Sequence, residues 1–139
     1  MESKVISQGN ELARHLMRDE LDAYLDKMAY FVYSNKAERE QLRENLIKED
    51  EFSKARGADL IKAVSEKNSE IFEKDGYYQC IFKQKRYFHN VFATYTTDEY
   101  FLAISKDGEI WKFALITHIP ISLVRKVFKE MHGDLDIIK

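Results

Sequence analysis

The feature that most restricts what this chain can fold into is a change of hydrophobic pattern at Tyr77. Before it, apolar residues recur at three- and four-residue steps, the period of an amphipathic helix. After it they fall in short aromatic and β-branched runs separated by turn-like residues, the pattern of strands. Residues 76–139 also hold 12 of the 18 aromatic side chains. A chain that segregates helices from strands in this way belongs to the α+β class.

Upstream of the change, three helices are expected. The first covers residues 10–33, with Leu12, Leu16, Met17, Leu21, Tyr24, Leu25, Met28 and Val32 on one stripe. The second runs from about Lys36 to Lys48. Asn35 is its cap and Glu38 stands at the capping-box position. Its apolar stripe (Ala37, Leu42, Leu46, Ile47) is thin, so it buries one edge only, and Glu49-Asp50-Glu51 reads as a connection. The third starts at Ser53 or Ala58 and reaches Lys74, with Leu60, Ile61, Val64, Ile71 and Phe72 inward and Gly76 as a left-handed cap.

Downstream, strands are expected at Tyr77–Lys83, Tyr87–Tyr95, Glu99–Ser105 and Glu109–Thr117, joined as an antiparallel meander because short turns cannot cross over. Asp107-Gly108 is the strongest hairpin signal. Alternation puts Tyr78, Cys80 and Phe82 on one face of the first strand, and Trp111, Phe113 and Leu115 on one face of the last. Pro120 opens a final helix with Val124, Val127, Phe128 and Met131 inward, ending at Gly133. The 139 residues suit one domain, helical over 1–75 and sheet plus closing helix over 76–139.

Charge and composition narrow the function. A net charge of −2, divided as −4 over residues 1–75 and +2 over 76–139, is unlike the strongly basic balance of domains held to nucleic acid by bulk charge. One cysteine, Cys80, forms no intrachain disulfide. With no signal-peptide pattern at the N-terminus and no run long enough to span a bilayer, the expected location is the cytoplasm. The histidines, His15, His89, His118 and His132, stand apart. No metal-ligand spacing, glycine-rich phosphate loop or nucleophile motif occurs, so neither metal nor cofactor is expected. Cys80 lies among aromatic strand residues and reads as a small core hydrophobe.

Two stretches carry functional expectations. The aromatic sheet has large rings on both faces, and one covering helix cannot bury them all. Either the N-terminal helices cover the second face, or part of it is a patch for a protein partner, with Tyr87, Tyr95, Tyr100 and Phe101 as contacts. On the second view the chain is a non-catalytic regulator, inhibitor or accessory factor, and the long first helix could pair with itself in a homodimer. The alternative is the basic aromatic segment Lys83, Lys85, Arg86, Tyr87 and His89, read as a hairpin that meets nucleic acid through phosphates and stacked bases. A third and weaker reading makes His89, with Lys85 or Arg86, the acid–base set of a small nuclease.

Overall fold

The computed structural model describes residues 1–138. It is an α+β fold: three N-terminal helices, an antiparallel meander and a C-terminal helix. The elements are α1 (Glu2–Met17), α2 (Leu21–Asp26), α3 (Lys36–Ala55), β1 (Asp59–Lys67), β2 (Phe72–Lys74), β3 (Tyr77–His89), β4 (Thr94–Ser105), β5 (Lys112–Leu115) and α4 (Ile121–Val127). The sheet order is β1-β3-β4-β5, with β2 also paired to β3.

The helix expected over 10–33 is two helices. The apolar-free run Arg18-Asp19-Glu20 interrupts the stripe, Asp19 adopts a left-handed φ of 56°, and the Glu20 amide closes on the His15 carbonyl at 2.8 Å. Past α2 the chain turns extended. The Ala29 amide donates to the Phe113 carbonyl, and the Phe113 amide to the Lys27 carbonyl, so Met28 forms a parallel bridge that covers part of the β5 edge. The cap of α3 is the expected one: Asn35 Oδ1 accepts from the Glu38 amide, and the Glu38 carboxylate accepts from Ser34 and Asn35. The helix continues through Glu49-Asp50-Glu51, where Lys54 pairs with Asp50 at i,i+4.

The third expected helix does not form. Residues 59–67 and 72–74 are β1 and β2, and Asp75-Gly76 is the two-residue turn between Lys74 and Tyr77, not a helix cap. Both turn residues have positive φ, 52° and 83°, which is the type I′ geometry that joins twisted strands. Long-range pairing decided against the helical spacing of Leu60, Ile61 and Val64. β3 is 13 residues long, and its backbone groups need a neighbour on each side. That length is itself a correction. The strands expected at 77–83 and 87–95 are one strand to His89, and the connection expected at 84–86 lies mid-sheet, paired to β1 and β4. The true turn is at Asn90–Ala93. β5 is shorter than expected, and α4 stops at Val127.

The sheet is covered on both faces. Tyr78, Cys80, Phe82, Phe101, Ala103 and Phe113 meet Val5, Leu12, Tyr24 and Leu25 of α1 and α2, with Leu42 and Leu46 of α3 at the margin. On the other face Ile81, Leu102, Ile104, Ala114 and Ile116 meet Val124, Phe128, Met131 and Leu135. The core is therefore three layers deep, with Val5 and Leu12 of α1 packed against the sheet. Two buried polar residues hold the layers in register. The Gln84 amide donates to the Gly9 carbonyl of α1 at 3.1 Å. Gln79, on the opposite face, donates to the Glu130 carbonyl and accepts from the His132 amide. Each buried amide that keeps its partners avoids a penalty of about 1–3 kcal/mol.

Candidate interaction surface

Helical cover ends before the β3–β4 hairpin does. The hairpin runs on to a turn whose shape is set by one side chain. Asn90 Oδ1 accepts from the Phe92 and Ala93 amides at 2.9 and 2.8 Å, and the Asn90 amide donates to the Ala93 carbonyl at 2.9 Å. Asparagine suits this position because its short amide reproduces a backbone acceptor. The turn carries Val91 and Phe92, which are 85% and 96% exposed. Behind it His89 faces Thr94, and the rings of Phe88 and Tyr95 stack at 5.3 Å. β1 begins beside the same end, with Asp59 in register with His89, and Ile61 is exposed. Gly57, at φ 71°, brings the end of α3 alongside Val91. Phe52, exposed in the last turns of α3, lies under the Arg56 guanidinium at 5.3 Å.

The residues singled out from the sequence separate in space. Phe101 is fully buried and stacked on Phe82 at 5.2 Å, so it belongs to the core and offers no contact surface. Tyr100 is half-buried against the α4 layer. Tyr95 is 42% exposed near the turn. Tyr87 is half-buried under the Lys62 ammonium at 5.4 Å.

The basic segment is a paired strand, with Lys83, Lys85, Tyr87 and His89 on one face and Arg86 on the other. Lys83 bonds Glu66 at 2.8 Å, which holds the ammonium above its ordinary range and lowers the Glu66 carboxyl. Lys85 is in register with Asp98. Arg86 Nε donates to Gln84 Oε1, and its guanidinium lies over the Phe101 ring. His89 Nδ1 is 3.3 Å from Thr94 Oγ1. His89 and Arg86 thus face opposite sides, and Lys83 has a carboxylate partner.

Cys80 is buried, and burial pushes its thiol up to about 12, the reverse of an activated nucleophile. Among the described residues no group of three or more His, Cys, Asp or Glu is placed to hold a metal ion, and no helix is long and apolar enough to cross a membrane. Val91 and Phe92 fall inside the strand that the sequence pattern predicts over 87–95, so that pattern does not mark them as a turn. Asn90, a turn former between two aromatic runs, was the available signal. In comparisons with protein-family models, with characterised proteins and with solved structures, the chain matches none.

Proposed function

We propose that the protein is a non-catalytic interaction module that binds a protein partner with the outer end of its β3–β4 hairpin. The observation that carries this reading is the pairing of a side-chain-braced turn with two large apolar residues almost wholly in water. A turn fixed in advance loses little entropy on binding, so the apolar area it buries counts nearly in full toward affinity. Tyr95, stacked on half-buried Phe88, extends the same end, and Ile61 and Phe52 are exposed on the strand and helix beside it; groups of exposed apolar side chains mark contact sites. The proposed setting is the cytoplasm, where a lone buried thiol such as Cys80 persists without a disulfide partner.

The test is partner capture from the native host with the full chain and with a Val91→Ser, Phe92→Ser variant. Burial of a Phe side chain contributes about 1.5–3 kcal/mol, so the variant should lose at least tenfold in affinity for the captured protein. Its thermal melt should match that of the parent, since neither side chain touches the core. Equal capture by both proteins would remove the hairpin end from the interface. Light scattering on the isolated chain separates pairing with a second copy from binding to a different protein.

A further inference from the structure

A second surface, remote from the hairpin, brings aromatic, apolar and cationic side chains together. An open cleft of about 390 Å³ lies on the α4 face of the sheet, beside the β4–β5 connection. Its volume is within the range of ligand sites, about 300–1,000 Å³. Ile104, almost completely buried, belongs to its lining, and Ile110, 64% exposed, contributes apolar surface from the connection. Tyr30 and Tyr77 form an aromatic wall, with centroids 6.2 Å apart and planes 29° from parallel. Both rings pack against buried Phe128, at 6.3 and 5.5 Å, so the wall is held from behind.

Charge at the cleft is positive. Lys106 Nζ stands 5.7 Å from the centre of the Tyr77 ring. Lys112 Nζ donates to the Asp26 carbonyl at 2.8 Å, which fixes the ammonium and leaves two of its three protons free. Among the described residues neither lysine has a carboxylate within ion-pair distance. The carboxylates nearby are engaged elsewhere. Asp107 folds its Oδ1 into its own turn, accepting from Ser105 Oγ and from the Glu109 and Ile110 amides. Glu109 pairs with Lys4, and Glu130 accepts from the outer hydroxyl of Tyr30. The lining thus carries two ammonium groups against one carboxylate turned to the backbone.

We propose that this cleft binds a small anion with a flat apolar body, an aromatic carboxylate, its ring against Tyr30 and Tyr77 and its carboxylate between Lys106 and Lys112. The ring covers apolar surface at Ile104 and Ile110, and the carboxylate replaces water on two cations that are without a carboxylate partner among the described residues. A neutral molecule of the same shape gains the first contribution and not the second.

The matched probes are indole-3-acetate and indole-3-acetamide, titrated into the full chain and followed by amide chemical shifts. The acetate should move the Lys106, Ile110 and Lys112 resonances and bind about fivefold or more tightly than the amide, as expected for two partly exposed ion pairs. A Lys106→Gln, Lys112→Gln variant should fold normally and bind both probes equally. Tyr77→Leu should weaken both probes alike, because it removes half of the aromatic wall and leaves the charge. Equal affinity of the two probes for the parent chain would overturn the proposal. So would shifts confined to Val91–Ala93, or no shift at millimolar probe.

Discussion

Gly9 is where the contact of α1 with the sheet is closest, and replacing it with alanine sets two effects of opposite sign against each other. In the interior of a helix, Gly→Ala ordinarily stabilises by about 0.5–1 kcal/mol, because alanine has less backbone freedom to lose. Here the new Cβ would lie 3.0 Å from Cε2 and Cζ of Phe82 and 3.0 Å from Ser65 Oγ. Carbon–carbon contacts are comfortable at about 3.5–4.0 Å, so the ring would have to retreat by about half an ångström. It has little room, being stacked on Phe101 at 5.2 Å and meeting the edge of Phe113 at 5.6 Å. Ser65 Oγ is held by the Gln84 amide, which also ties down the Gly9 carbonyl. Overpacking of this kind costs about 1–3 kcal/mol; set against the propensity gain, the net is about 0–2.5 kcal/mol of lost stability, centred near 1 kcal/mol. With a urea m-value of about 2 kcal/mol/M, the unfolding midpoint should fall by roughly half a molar. In a Phe82→Leu background the same Gly9→Ala change should become neutral or stabilising, a coupling that a double-mutant cycle reads directly. A Gly9→Ala protein at least as stable as the parent would refute the claim that this contact is closed.

Two further predictions concern titratable groups. Cys80, pushed up to about 12 by burial, should resist an aromatic disulfide reagent in the folded protein and react at a rate that follows unfolding on addition of urea. Rapid labelling at neutral pH without denaturant would contradict its place in the core. Half of the Tyr30 side chain is exposed, but its hydroxyl lies against Glu130 at 2.8 Å; desolvation there, then the hydrogen bond and the charge of Glu130, raise the phenol from 10.0 to about 12. A raised folded-state value contributes stability that is complete below pH 10 and is lost as pH climbs toward 12. Glu130→Gln should move the tyrosinate absorbance titration of Tyr30 downward and flatten that alkaline loss, and an unchanged titration would show that Glu130 does not act on it.

Certain features follow from local sequence because the interactions that make them are local. The α3 cap is one: Asn35 and Glu38 are close enough along the chain to satisfy each other whatever the rest does. The alternation that puts Tyr78, Cys80 and Phe82 together is another, since it follows from backbone geometry once a strand forms. So do the antiparallel order of the strands and the helix opened by Pro120. Tertiary structure decided the rest. Leu60, Ile61 and Val64 carry a helical spacing, yet they became a strand because β3 had an edge to fill. The polar run Lys83–Arg86 resembles a turn, yet Glu66 and the Gly9 carbonyl, distant in sequence, let it cross the sheet. Whether a ring such as Phe101 is core or contact surface depends on which layers lie above it. That is a property of packing between segments far apart in the chain, and no local pattern records it.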